Sequence, residues 1–295
     1  MPSISDLSIV LPTKNEAINL AAHIRAIRVQ CPEAELIVVN DGSTDDSAAI
    51  ATAQGATVIS HPYSMGNGAA IKSGARAASR KYILFMDADG QHQPEDIPKL
   101  LDEIDNGHKM VIGARNPSSH ATVARRLMNY VYNRIAAIMT GYPISDLTSG
   151  FRVVEKQFFK QFLYLLPNGF SYPTTITMAF LRSGLPIKFV WIQAKQRDGK
   201  SKIRPIHDGL RFFVIIMKIG ALFSPMRLFL PISAALFTTG IFYYGFTYIT
   251  QHRFTNMSAV LFLSSLIIFL IGIVSEQISS LHYQASQQDQ LPPEH

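Results

Sequence analysis

The sequence predicts an α/β domain on a mostly parallel sheet, followed by an interfacial helix and a two-helix membrane hairpin. Three observations carry that prediction. Short Val- and Ile-rich runs alternate with amphipathic stretches up to residue 115, the pattern of strands covered on both faces by crossover helices. Polar clusters follow directly on those runs. Two uncharged apolar segments, residues 228–249 and 257–275, lie close together near the C-terminal end, each near the roughly 20 residues that cross a bilayer.

Each element has its own signal. "LSIVL" at 7–11 is the first strand, and an amphipathic helix follows from about Glu16 to Val29. "ELIVVN" (35–40) is the second strand, and "DGSTDDSAAIATA" opens a helix with Ser or Asp available as caps. "ATVIS" (56–60), "YILFM" (82–86) and "MVIGA" (110–114) complete the set. Residues 121–190 are mixed, with a basic helix around "VARRLMNYVYNRIAAIM" and a strand at "PIKFVWI". Segment 205–225 is apolar but carries Arg211 and Lys218 and stops at Pro225, so it reads as an interfacial helix rather than a span. Only "TQHRFTN" (250–256) separates the two spans, which therefore form a hairpin. The expected plan is an α/β domain over 1–204, the interfacial helix over 205–225, the hairpin over 226–275 and a polar tail over 276–295.

Charge is localised. Residues 1–225 hold 25 Lys/Arg against 18 Asp/Glu, and Arg211, Lys218 and Arg227 crowd the approach to the first span. Only Arg253 sits in the loop between spans, so the positive-inside bias places the large domain and both termini in the cytoplasm. "MPSISDLSIVLPTKNEA" has no h-region, so no signal peptide is expected. A single cysteine, Cys31, excludes an intrachain disulfide and suits a reducing compartment.

Ligands of such sheets gather at the carboxyl ends of the strands. There fall "PTKNE", "NDGS", "DADGQ" and "GAR". The strand "YILFM" runs straight into Asp87 and Asp89, with Gln91 two residues further on. Two phosphate-binding motifs fail in "SMGNGAAIKSG" (64–74). A P-loop needs Gly directly before Lys-Ser, where Ile71 stands before Lys72, and the same Ile71 occupies the third glycine of a dinucleotide fingerprint.

Taken in order and spacing, "IVLPTKNEAINL", "VVNDGSTDDS", "GNGAAIKSGARAA", "YILFMDADGQHQPEDI", "GAR" and "DLTSGFR" resemble family 2 glycosyltransferases. The likeness is greatest to the dolichyl-phosphate mannose synthase group and its bacterial polyprenyl-phosphate relatives, over residues 7–204. "RDGKSKI" resembles that group's R-x-x-G-x-S-K element, and the two spans match its membrane-anchored members. The implied fold is GT-A. The implied reaction is inverting transfer of one hexose, mannose or glucose, from a UDP- or GDP-sugar to a polyprenyl phosphate, undecaprenyl or dolichyl, at the cytoplasmic membrane face. Departures are visible too. The family's Gly-Lys-Gly is "GNG" here, "FSYPTTITMAF" lacks an acidic residue common in relatives, which leaves the sugar open, and the absent "QxxRW" element argues against polymer growth.

By resemblance, Asp89 and Gln91 are ligands of Mg²⁺ or Mn²⁺, which takes hard oxygen donors and keeps substrate phosphates in its shell. Pro12, Thr13, Asn15, Glu16, Asp41, Ser43, Lys72, Asp87 and Ala88 form the nucleotide-sugar pocket. An acceptor phosphate monoester is already anionic near neutrality, its second pKa being about 6, so cations rather than a strong base are needed. Arg115, Arg125, Arg152, Arg197 and Lys202 are the candidates, with Ser149 and Ser201 as hydroxyl donors; Asp87, Asp89, Arg115 and Arg152 are the expected catalytic set. The expected partners are the nucleotide-sugar, the polyprenyl phosphate and the bilayer rather than nucleic acid, and a homo-oligomer is left open. Two other readings stand beside this one: transfer to a neutral lipid hydroxyl, which requires a general base, and an inactive nucleotide-sugar-binding membrane scaffold.

Overall fold

A computed structural model describes residues 4–115, 123–169, 171–193, 214, 217, 220–221 and 224–288. Strands β1 (Leu7–Thr13), β2 (Glu35–Asn40), β3 (Thr57–Ser60), β4 (Tyr82–Phe85), β5 (Met110–Arg115), β6 (Arg152–Glu155) and β7 (Ile187–Ile192) form one sheet in the order β3-β2-β1-β4-β6-β5-β7. Helices α1 (Ala17–Gln30), α2 (Ser47–Ala53), α3 (Asn67–Ala77), α4 (Ile97–Asp105), α5 (Val123–Thr140), α6 (Lys156–Gln161) and α7 (Tyr172–Arg182) connect or follow them.

Alternation along β1 sorts the packing. Ile9 and Leu11 join Leu20, Ile24 and Ile27 of α1 and Ile97, Leu100 and Ile104 of α4 in one core cluster. Val10 points the other way, toward α3, where a Cβ on Gly74 would lie 2.3 Å from its Cγ1. Each fully buried Leu or Ile contributes about 1.5–3 kcal/mol, so the sheet is secured on both faces. Parallel pairing then puts the loops that leave the carboxyl ends of β1, β2, β3, β4 and β5 at one edge.

One strand departs from the expected series. β6 runs antiparallel between β4 and β5, with Phe85 and Ile112 both registered on Arg152. All four of its residues are buried. No crossover helix announces it and no polar alternation marks it, so the pattern that finds the parallel strands passes over it.

The chain divides into two compact units, Met1–Arg134 with Tyr142–Phe212, and Ile135–Gly141 with Phe213–His295. The second holds α8 (Pro225–Gln251) and α9 (Asn256–Gln288). Contacts at Met226–Glu276, Ser233–Ser265 and Gly240–Phe262 make the pair antiparallel. The packing is inverted relative to a soluble core. Ser233, Gly240 and Thr247 of α8 are buried, as are Ser258, Ser265, Gly272 and Ser279 of α9, each set spaced by seven. Phe237, Phe242, Phe246, Leu263 and Leu266 face outward. Small residues inside and large apolar ones outside are the arrangement of helices solvated by lipid. Ser233 and Ser265 seal it by donating to each other's carbonyls at 2.9 and 3.0 Å.

Both helices outrun the spans read from hydropathy. α9 passes Ser275, and Glu276 accepts the Met226 N–H at the start of α8, at 3.2 Å. Of the expected interfacial helix at 205–225, Val214, Met217, Gly220 and Ala221 are helical, Ser224 and Pro225 lead into α8, and the remainder lies outside the described residues.

Candidate active site

Four loops meet at the carboxyl edge. Asn15 takes a left-handed φ of 57°, which Asn tolerates better than most residues, and so turns β1 into α1. Its N–H donates to Ser43 Oγ at 3.0 Å, and its Oδ1 accepts from Thr44 N at 2.8 Å. Glu16 N and Ala17 N are satisfied by Ser47 Oγ and Asp45 Oδ2. The free N–H groups at the start of α1 are thus capped by the turn after β2 rather than by α1's own residues. Pro12, Thr13, Asn15, Glu16 and Ser43 do lie together, with Thr13 buried and its hydroxyl donating to Leu11 O.

Asp41 stands at the same edge, but its carboxylate is occupied. It accepts from His61 Nδ1 (2.8 Å), Ser64 Oγ (2.8 Å), Met65 N (2.8 Å) and Gly66 N (3.0 Å). Burial alone would raise its pKa; these hydrogen bonds hold it below the usual carboxylate range. His61 passes on to Ser73 Oγ at 2.9 Å, and Lys14 Nζ reaches Ser64 Oγ at 2.8 Å. Gly42, at φ +65°, leaves room for this loop, because a Cβ there would lie 2.6 Å from Ser64 N. Asp41 therefore organises the 61–66 loop, where the sequence points only to ribose or base. His61, Ser64 and Ser73 escape sequence reading because only the fold brings them to Asp41.

Lys72 also departs from expectation. It donates to Leu166 O (3.1 Å) and Asn168 Oδ1 (2.5 Å). The same loop supplies carbonyls to Gly68 N and Ala69 N, and a Cβ on Gly68 would lie 2.0 Å from Pro167 O. In this structure the "GNG" element and Lys72 clamp the 166–169 loop.

Beyond β4, Asp89 Oδ1 accepts from Gln91 N (3.1 Å) and Oδ2 from Gln91 Nε2 (2.9 Å), across a turn made by Gly90 at φ +75°. Asp87 lies against Gly150, where a Cβ would sit 3.1 Å from Asp87 Oδ2 and 3.3 Å from Tyr172 Oη. Ala88 between them turns its methyl into the core, which leaves only its backbone for a ligand. Arg115 ends β5 in a fork on Asp146, Nε to Oδ2 at 2.8 Å and Nη2 to Oδ1 at 3.1 Å, with Thr148 Oγ1 at 2.7 Å from Nη2. Burial pushes the Asp146 carboxyl up, but Arg115 outweighs it and holds it below its ordinary value. Burial likewise opposes charge on Arg115, which Asp146, and more weakly Asp87 and Asp89, overcome. His92 is buried and stacked on Phe151, centroids 5.1 Å apart, and burial lowers its pKa to about 4.

Two expected phosphate ligands are placed inside. Arg152 is fully buried at the start of β6. It donates to Pro173 O (3.2 Å), Thr177 Oγ1 (3.1 Å) and Ser149 O, and burial lowers its pKa. Ser149 is buried and donates to Gly113 O at 2.6 Å. Both brace the loop that carries Asp146 and Gly150, and both side chains are buried away from the surface, so neither is placed to meet a phosphate from solvent. Arg197, Ser201 and Lys202 lie outside the described residues, as does the side chain of Arg125. Asp146, which the sequence displays in "DLTSGFR" but which was not among the expected site residues, is the addition.

Asp89 and Gln91 fit a hard divalent cation, since a carboxylate and a side-chain amide meet on one turn. Among the described residues no group of three His, Cys, Asp or Glu gathers to make a cage. A cation here would draw its other ligands from phosphate and water.

Comparison with known proteins adds three findings. The model of glycosyl transferase family 2 matches residues 8–163, and that of the GtrB C-terminal hairpin matches residues 224–281. The chain is 28% identical to glycosyltransferase AglJ of Haloferax volcanii, covering 96% of each. It is 29% identical to a dolichyl-phosphate hexose transferase of the same organism, over 74% of this chain and 95% of that one. It is 28% identical to a polyprenol monophosphomannose synthase of Mycolicibacterium smegmatis, over 66% and 80%. In fold it is similar to glucosyl-3-phosphoglycerate synthase from Mycobacterium tuberculosis in complex with Mn²⁺, UDP and phosphoglyceric acid. That match has a TM-score of 0.59 and 22% identity over 72% of this chain and 78% of that one. A complex of the same enzyme with Mg²⁺ and UDP gives a TM-score of 0.57 at 23% identity, over 72% of this chain and 78% of that one.

Proposed function

Because this chain belongs to glycosyl transferase family 2, we propose that it moves one hexose, mannose or glucose, from UDP or GDP to a polyprenyl phosphate, undecaprenyl or dolichyl, at the cytoplasmic face of a membrane. The observation that carries the reading is the meeting of Asp87, the Asp89–Gln91 turn and the Asp146-held Arg115 at one sheet edge. Relatives named for dolichyl-phosphate hexose and polyprenol phosphomannose transfer support the acceptor class, and the matched hairpin supports work at a bilayer.

Residue roles follow from charge. Asp89 and Gln91 would hold Mg²⁺ or Mn²⁺, which when bound offsets the negative charge that builds on the leaving diphosphate. Asp87, half-buried behind Gly150, faces the ribose and sugar. Arg115 is held rigid by Asp146 and Thr148, and so offers the acceptor phosphate a fixed cation in line with the anomeric carbon. Arg125, Arg197, Ser201 and Lys202 are assigned to the same phosphate. An oxygen of that phosphate forms the new bond as the bond to the nucleoside diphosphate breaks, inverting the centre. The acceptor is already ionised, so no side chain has to remove a proton.

The test is a screen of radiolabelled UDP- and GDP-hexoses against a short polyprenyl phosphate, with diacylglycerol as the alternative acceptor. One sugar nucleotide should label the polyprenyl phosphate, chelator should stop the transfer and added Mn²⁺ or Mg²⁺ should restore it. Asp89→Ala should lose transfer with an unchanged fold, because a half-exposed strand-end carboxylate leaves no core cavity. Labelled diacylglycerol would move the assignment to hydroxyl acceptors. No turnover with any donor would leave the scaffold reading in its place.

A further inference from the structure

Two buried histidines take no part in the chemistry above. His23 lies on the packed side of α1 with Leu20, Ile24 and Ile27, and His92 follows directly on Gln91. They are 7% and 4% exposed. Among the described residues nothing hydrogen-bonds to His23 Nε2 or to His92 Nδ1, and both atoms are shut off from solvent. The two rings share one neighbourhood, since α1 packs against the Pro94–Asp96 turn just beyond His92. His23 lies within electrostatic reach of His92, Asp89 and Glu95.

A ring nitrogen taken out of water needs a replacement partner, and a buried one without it is destabilising. A leucine or phenylalanine at either position would fill the space without that penalty. Two such nitrogens in one neighbourhood point to a partner they share. Buried waters make about three hydrogen bonds, to polar groups that protein atoms leave unmet. A water can also bridge two imidazole nitrogens whichever tautomer each ring adopts, because it both donates and accepts.

The place of His92 gives that bridge a role. On one flank Gln91 donates to Asp89 through its N–H and its amide. On the other the His92 ring is stacked on Phe151, the planes 16° apart. Phe151 continues the loop in which Asp146 holds Arg115. His23 in turn sits on the helix that opens at Asn15 and Glu16, which the 43–47 turn secures. We propose that His23 Nε2 and His92 Nδ1 hold one buried water, and that His92 is thereby the positioning residue of the Asp89–Gln91 turn. It fixes the turn against α1 through the water and against the Arg115–Asp146 loop through the stack. The water rests on burial and geometry alone; the positioning role rests on the reading of Asp89 and Gln91 as metal ligands.

Two arms test it, and the first needs no turnover. In detergent, His23→Leu and His92→Phe should each lower the melting temperature by roughly 2–4 °C, since each leaves the other nitrogen unmet. The double variant removes both nitrogens and should melt no lower than either single one. Losses that add overturn the shared water. Should a variant fail to fold, the wild-type chain decides: a high-resolution crystal structure should show one water about 2.7–3.2 Å from both nitrogens. A dry gap, a direct ring-to-ring hydrogen bond or a metal ion in that place overturns it.

The second arm counts Mn²⁺ bound with UDP or GDP, read from the free-ion electron paramagnetic resonance signal. His92→Phe keeps the stack and the volume but not the nitrogen, and should weaken Mn²⁺ binding roughly tenfold. His23→Leu, remote in sequence from both ligands, should weaken it in the same direction. A purely structural pair would shift the melting temperature and leave Mn²⁺ affinity unchanged, and that result overturns the positioning role. If the wild type binds no Mn²⁺ with either nucleotide, the metal reading falls and the positioning role with it, while the melting cycle still judges the water.

Discussion

At the residue scale the site depends on carboxylates whose partners lie far away in sequence. Asp146 is buried and holds Arg115 through two parallel hydrogen bonds. Removing it leaves a largely buried guanidinium without its counter-charge, which costs about 3 kcal/mol. Asp146→Asn should therefore unfold earlier in denaturant by about that amount at pH 7. The pH dependence has a definite sign. The Asp146 carboxyl is depressed in the folded state, so its contribution is complete above the unfolded value of about 3.9 and disappears as pH falls through the lower folded value. The gap between wild type and Asp146→Asn should hold steady from about pH 5 to 8 and narrow below about pH 4. Denaturation curves in detergent at several pH values measure it, and a gap that widens in acid would contradict the assignment. The Arg115 fork should also be lost in the variant, lowering acceptor kcat/KM while donor affinity, read by calorimetry without lipid, stays put.

At the element scale the hairpin is held by shape and by a polar clasp at mid-helix. Ser233 and Ser265 exchange hydrogen bonds at the middle of a small-residue seam. Such bonds average about 0.6 kcal/mol between membrane helices, so Ser233→Ala should be nearly silent. Ser233→Leu should not, because the seam has no room for a large side chain and overpacking costs roughly 1–3 kcal/mol. Thermal unfolding in detergent separates the two. Equal effects of Ala and Leu would mean that the clasp rather than the seam dominates. In the sheet domain the comparable close fit is α3 against the 166–169 loop, where Gly68 meets Pro167 O and Lys72 ties the far side. Both sites place backbone or small atoms where a larger residue would fit by composition and fail by volume.

At the scale of the whole molecule, charge asymmetry predicts topology. A cysteine at Arg253, between the helices, should react with an impermeant thiol reagent only from the side away from the cytoplasm. Labelling only from within would reverse the orientation. By itself the sequence determined what depends on local pattern. Strand runs such as ELIVVN at 35–40 are found residue for residue, because a buried strand needs an unbroken apolar string. The Asp87–Asp89–Gln91 turn is visible because it follows such a string directly. The two apolar helices are visible because crossing lipid demands length and hydropathy. What depends on partners distant in the chain waited for the tertiary structure. "SGFR" reads as a phosphate site until β6 is seen to insert backwards between β4 and β5, burying Arg152 beneath the loop it braces. Asp41 reads only as a ligand contact, and the fold alone brings His61, Ser64, Met65 and Gly66 onto its oxygens. Local pattern reports how a residue meets its neighbours along the chain. Whether a charge faces solvent or is already paired is set by pieces that come together only when the sheet closes.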